Sequence, residues 1–238
     1  MGRFESEIDG IPTGPSRDNR RVRGQKISSG LAEIRDRQRQ DEEREKLRYL
    51  SYHDRLTGLP NDRAFSEAFE HAVQTASSTN EELGLAITDL DGLKRVNDEE
   101  GIGHDGGHEL LKAAARTLQN STRPQDEVFR IGGDEYAVLF PGFITGTEPD
   151  QTEETAELGI NERYKGAFSN EITTGVLTEA QQEKVQAGLT TGFSILRKGE
   201  SAREFFRRVD GKLQKNKKEG RDRLAKMGFV FRDERLIT

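Results

Sequence analysis

Arg130-Ile131-Gly132-Gly133-Asp134-Glu135-Tyr136 stands just past the middle of this 238-residue chain and is the strongest clue to its fold. Apolar runs at 128–131 and 136–140 flank the Gly-Gly-Asp-Glu tip, the pattern of a β-hairpin with two acids at its turn. Working outward, 83–90 is a short apolar run that ends in Asp89 and Asp91, as a buried central strand would. A carboxylate at the end of such a strand is costly unless paired or bound to a cation. If strand and hairpin are sheet neighbours, the two acidic pairs converge and repel. A hard divalent ion such as Mg²⁺ that bridges substrate phosphates relieves that repulsion. Glycines let backbone approach phosphate oxygens closely. The residues by themselves therefore point to metal-assisted phosphoryl or nucleotidyl transfer, with a plain acidic turn as the alternative.

The remaining chain alternates helices and strands. Residues 31–52 are strong helix formers with apolar positions only at the ends: Leu31, Ile34, Leu47 and Leu50. Gln38 and Asp41 occupy the middle heptad positions, so the segment reads either as a solvated charged helix or as a dimerising lead-in. Helices are expected at 62–76, 109–118, about 159–168 and 202–218, and a further strand at 186–196. A surface loop is expected at 141–157. The fold class is α/β, with helices on a central mixed, largely antiparallel sheet. Residues 1–30 are rich in Gly, Pro, Ser and Arg without apolar periodicity and are expected to be disordered. The main domain then covers 53–230, with a tail at 231–238.

Composition narrows the classes. Charged residues reach 34% against 32% hydrophobic, and cysteine is absent, which excludes a disulfide framework and thiolate metal sites. A net charge of -6 argues against general nucleic-acid binding. With no apolar run long enough for a span and no leader-like segment, a cytoplasmic chain without membrane attachment is expected.

Four segments resemble the GGDEF family of diguanylate cyclases, in the family's order over 51–223. His53-Asp54-Arg55-Leu56-Thr57-Gly58-Leu59-Pro60-Asn61 is similar to its D-x-L-T-G-L-x-N opening. Thr88-Asp89-Leu90-Asp91-Gly92-Leu93-Lys94-Arg95-Val96-Asn97-Asp98 resembles D-x-D-x-F-K-x-I-N-D. Arg130 to Tyr136 looks like R-x-G-G-D-E-F with Tyr for Phe, and 209–221 like the closing D-x-A-L-Y-x-A-K-x-x-G-R.

The resemblance implies a palm-like cyclase fold and the condensation of two GTP molecules into cyclic di-GMP and two pyrophosphates, one GTP held by each protomer of a homodimer. It implies that Asp89, Asp134 and the Leu90 carbonyl hold Mg²⁺ or Mn²⁺, and that Glu135 attends the attacking 3′-hydroxyl. Lys94, Lys217 and Arg221 would hold the triphosphate, with Lys217 counted among the catalytic groups. Asn97 would read the guanine, and Gly132 and Gly133 would keep side chains off the phosphates. Arg123 and Asp126 match the family's R-x-x-D product-inhibition site.

The sequence departs from the family where the second guanine contact should be. Two extra residues follow Asn97-Asp98, and His108 falls in the slot of an aspartate. A neutral imidazole offers one acceptor and cannot serve both guanine N–H donors. Asp105 in a shifted loop is one substitute. Altered base specificity is a second reading of the chain, and a nucleotide-sensing module built on Arg123 and Asp126 is a third. Lys212-Leu213-Gln214 stands where the family has A-L-Y, and 141–185 matches no pattern.

Overall fold

The structure, a computed structural model, describes residues 17–99, 102–143 and 152–226. The chain divides into two units, Met1–Tyr49 and Leu50–Thr238. Helix α1 (Arg17–Tyr52) makes up the described part of the first unit and ends in the second. It begins at Arg17, so the expectation of disorder is corrected for 17–30; residues 1–16 lie outside the described range, as does the expected tail at 231–238. A composition rich in Gly, Pro, Ser and Arg without apolar periodicity was the reason to expect disorder, yet helix-interior glycines such as Gly24 cost only about 1 kcal/mol each.

The second unit is built on a four-stranded sheet: β1 (Leu83–Asp91), β2 (Glu127–Arg130), β3 (Glu135–Pro141) and β4 (Gly188–Ile195), in the order β2-β3-β1-β4. Every ladder is antiparallel. Among the described residues, the parallel component of the expected mixed sheet is one isolated bridge between Asn61 and Arg130. β1 is central and buried along nearly its whole length, which is why its sequence is a continuous apolar run rather than an alternation.

Each face of the sheet carries its own apolar cluster. On one side α2 (Asp62–Thr79) and α7 (Ala202–Lys226) bring Phe65, Phe69, Phe205, Val209 and Leu213 against Leu85, Ile87 and Phe129. Asn61 caps α2 by accepting from the Ala64 amide at 3.2 Å. On the other side α4 (Gly103–Asn120) and α5 (Glu153–Gly175) pack Leu110, Leu118, Tyr164 and Phe168 against Ala86, Tyr136, Val138 and Phe193. α7 lies very close to β4: a Cβ at Gly192 would meet the Leu213 amide nitrogen at 2.4 Å.

Three segments differ from the sequence expectation. α5 runs from Glu153 to Gly175, taking in residues expected to be loop, with Thr152 as its N-cap. A short helix α6 (Glu179–Val185), closed by a Thr178/Gln181 capping box, was not anticipated. α4 starts at Gly103, so His104, Asp105 and His108 all stand on a helix rather than in a loop.

Candidate functional site

The two acidic motifs meet as expected. β1 and β3 pair so that Asp89 lies opposite Glu135, and the Leu90 amide donates to the Asp134 carbonyl at 2.9 Å. The Leu90 side chain is in the core, so only its backbone can face a ligand. Asp89 is nearly buried, and burial pushes its carboxyl up to about 6, with Asp134 and Asp91 pushing the same way and Lys217 opposing. Lys217 Nζ lies 2.8 Å from Asp89 Oδ2. Burial also raises Asp91, which accepts from Thr190 Oγ1 at 2.5 Å.

The turn between β2 and β3 is closed by the Ile131 and Gly132 amides, which donate to the Glu135 carbonyl at 2.9 and 3.2 Å. A Cβ on Gly132 would meet Glu135 Oε2 at 2.8 Å, whereas one on Gly133 would meet open space. Of the two glycines, Gly132 is the one the Glu135 side chain requires.

Beneath this turn the opening motif and the hairpin are tied together. Asp54 Oδ1 accepts from Thr57 Oγ1 at 2.6 Å, from the Thr57 amide at 2.9 Å and from Arg130 Nη1 at 2.8 Å. Arg130 Nη2 then reaches the Gly133 carbonyl at 2.6 Å, and the Arg130 amide donates to the Pro60 carbonyl at 2.9 Å. Burial would raise the Asp54 carboxyl, but the Thr57 and Arg130 hydrogen bonds outweigh it and hold it below the ordinary value. Tyr136, the replacement for phenylalanine, is buried and donates to the Leu111 carbonyl at 2.8 Å.

The short helix α3 (Leu93–Asp98) follows directly from β1 and holds Lys94 exposed and Asn97 half-buried. Asn97 abuts α4, where a Cβ on Gly107 would fall 2.0 Å from Asn97 Oδ1. His108, the next residue, is exposed, as is Asp105. The glycines at 106 and 107 allow close approaches of Ile102 and Asn97 to this helix. Arg221 is exposed one turn beyond Lys217 on α7, so the two share a face. Arg123 and Asp126 form a turn ahead of β2, with the Arg123 amide donating to Asp126 Oδ2 at 2.8 Å and the Asp126 amide to the Arg123 carbonyl at 3.0 Å. The turn uses one carboxylate oxygen of Asp126 for its own closure.

Sequence reasoning missed the residues that hold α3. Arg95 donates through Nε to the Val185 carbonyl at 2.6 Å and through Nη2 to the Gln186 carbonyl at 3.2 Å, and Lys184 pairs with Glu99 at 2.5 Å. It also missed Thr190. The contacts of Arg95 and Lys184 depend on the unassigned segment that leads into β4, whose pattern signals nothing, whereas Thr190 lies within the strand expected at 186–196 and only its partner Asp91 went unread. Among the described residues no three acidic or histidine side chains form a ready-made metal cluster. Asp89 and Asp134 are two carboxylates at one place, a donor set suited to an ion that completes its shell with phosphates and water.

Comparison with known proteins bears on the same region. Residues 51–223 match the family model described as diguanylate cyclase, GGDEF domain. The chain is 32% identical over 171 residues to the diguanylate cyclase DgcP of Pseudomonas aeruginosa, and 30% identical over 180 residues to the diguanylate cyclase DgcM of Escherichia coli K12. These matches take in 72% and 76% of this chain but only 23% and 39% of the two relatives, so the chain spans less than half of their length. Among solved structures, the coiled coil and GGDEF domain of DgcB from Caulobacter crescentus, in complex with c-di-GMP, superposes with a TM-score of 0.65 at 23% identity, over 83% of this chain and 95% of that one. The diguanylate cyclase SiaD of Pseudomonas aeruginosa, in complex with its activator SiaC, gives 0.57 at 26% identity, over 85% of this chain and 73% of that one.

Proposed function

This chain belongs to the GGDEF family of diguanylate cyclase domains, and on that premise we propose that it condenses two GTP molecules into cyclic di-GMP and two pyrophosphates. The observation that carries the proposal is the junction of β1 and β3, where Asp89, Asp134 and Glu135 come together beside Lys217. Asp89, Asp134 and the Leu90 carbonyl would hold Mg²⁺ or Mn²⁺. When bound, the ion supplies charge neutralisation at the phosphates and at the α-phosphorus under attack.

The chain's own residues account for the remaining tasks. Lys94, Lys217 and Arg221 bind the triphosphate, and Asn97 hydrogen-bonds the base. Glu135 orients the 3′-hydroxyl of the bound GTP and accepts its proton as the oxygen bonds to the α-phosphorus of the second GTP. The bond from that phosphorus to the bridging oxygen breaks, and pyrophosphate leaves with its electron pair. The same step in the opposite sense closes the ring. One protomer holds one GTP, so both bonds require a homodimer with its two sites face to face. The exposed Leu47 and Tyr49 on α1 offer apolar surface for a partner's helix. Arg123 and Asp126 form a product-binding turn that can take guanine or phosphate through the arginine fork.

A second reading, altered base choice, is favoured by one observation: His108 stands exposed on α4 beside the Asn97–Gly107 contact, where an aspartate would complete guanine recognition. The test is purified protein with Mg²⁺ and GTP, ATP or both, the products identified by mass spectrometry. Cyclic di-GMP from GTP alone supports cyclisation of guanine nucleotides. A mixed dinucleotide supports the second reading. No turnover by a folded dimer overturns both and leaves a sensing module, for which cyclic di-GMP binding must be lost in Arg123→Ala.

A further inference from the structure

β4 is an edge strand, and its outer carbonyls are not left to solvent. Arg208 Nη2 donates to the Ile195 carbonyl at 2.7 Å, Lys212 Nζ to the Phe193 carbonyl at 2.9 Å, and Asn216 Nδ2 to the Thr191 carbonyl at 2.8 Å. The three donors follow one another at every fourth residue of α7, and the three acceptors at every second residue of β4. Four helical residues rise about 6 Å and two strand residues about 6.7 Å, so the spacings match closely enough to form a ladder.

α5 closes the ladder from the other side. Glu153 Oε1 accepts from Lys212 at 2.7 Å and from Ser194 at 2.5 Å, and lies 3.5 Å from Arg208. Glu157 meets Lys212 at 2.9 Å and Asn216 at 3.1 Å, and one turn on Asn161 reaches the Thr191 carbonyl at 3.1 Å. These groups are mostly shielded from water, with Glu157 only 15% exposed, so a sliding or rotation of α7 would strand charges and carbonyls together. The residue after the last rung is Lys217, the partner of Asp89.

We propose that Lys212 and Asn216, braced by Glu153 and Glu157, are positioning residues that set the register of α7 and thereby aim Lys217, and Arg221 one turn on, at the nucleotide. Both stand at positions where the closing motif of the family has alanine, which has no side-chain donor for such a rung. The inference rests on the triphosphate-binding role assigned to Lys217 above.

The test is equilibrium binding of a non-hydrolysable GTP analogue with Mg²⁺ to the full chain, alongside thermal unfolding. Lys212→Met is expected to weaken binding roughly tenfold, equivalent to about 1.4 kcal/mol, and Lys212→Arg to restore most of it. In a background lacking both aimed cations, Lys217→Ala with Arg221→Ala, the Lys212→Met loss should vanish, because the ladder then has nothing to aim. Additive losses in the two backgrounds, or unchanged binding by a folded Lys212→Met protein, overturn the inference while leaving the nucleotide reading intact. Should Lys212→Met fail to fold, Asn216→Ala enters the same cycle with the same expectation. A wild-type chain that binds no GTP analogue overturns the nucleotide reading itself, and the inference with it.

Discussion

Lys217 and Asp89 form an ion pair at 2.8 Å that joins α7 to the end of the central strand. A group assigned to phosphate thus rests on a group assigned to the metal, and the two ligands of the reaction would each release one partner. Lys217→Ala is therefore expected to act in opposite senses. Mn²⁺ binding in the absence of nucleotide, followed by electron paramagnetic resonance at pH 8, should tighten, while GTP binding weakens by roughly tenfold, the scale of one lost charge-assisted contact. Weakening of both would show that the pair supports the metal site rather than competing with it.

Glu135 sits opposite Asp89 in the sheet, with Gly132 making room for its carboxylate. Glu135→Gln keeps the shape and removes the base. Product formation should fall at least about a hundredfold, the usual contribution of a positioned general base, with the melting temperature unchanged. Activity within a few-fold of wild type would remove Glu135 from the chemistry.

Asp54 has its carboxyl held below the ordinary value of 3.8 by Thr57 and Arg130. Since the folded value lies below the unfolded one, the stability Asp54 contributes is present above the unfolded value and disappears as pH falls through the folded one. Asp54→Asn should lower urea-unfolding stability at neutral pH, and the gap from wild type should narrow below about pH 4. A gap that stays constant with pH would show that the carboxylate charge is not what matters.

Tyr136→Phe removes the buried hydroxyl bonded to the Leu111 carbonyl. It should cost about 0.5–1.5 kcal/mol, read as a drop of a few degrees in melting temperature, with catalysis near wild type. A catalytic loss without destabilisation would give the hydroxyl a role in the site.

His108→Asp supplies the second acceptor that guanine recognition lacks. The preference for GTP over ATP should rise by roughly tenfold or more, the worth of a charge-assisted pair, in competition binding. An unchanged ratio would place His108 outside the base pocket.

The sequence alone determined the hairpin, the acidic end of β1, the apolar faces of α2 and α7, and the residue types of the site, because each is written in local periodicity or in a contiguous motif. It also located Lys217 and Arg221 four residues apart, though not what Lys217 rests on. Tertiary structure alone decided the pairing of Asp89 with Lys217, the Asp54–Arg130–Gly133 tie beneath the turn, and the hold of α6 on Arg95. α5 was only partly legible for a physical reason. Its inward face mixes Ile160, Tyr164 and Phe168 with Glu153, Glu157 and Asn161, which face the edge of β4 and the cations of α7. A helix that buries polar groups against an edge strand has no clean apolar stripe to read, and its partners lie too far along the chain for any local pattern to announce them.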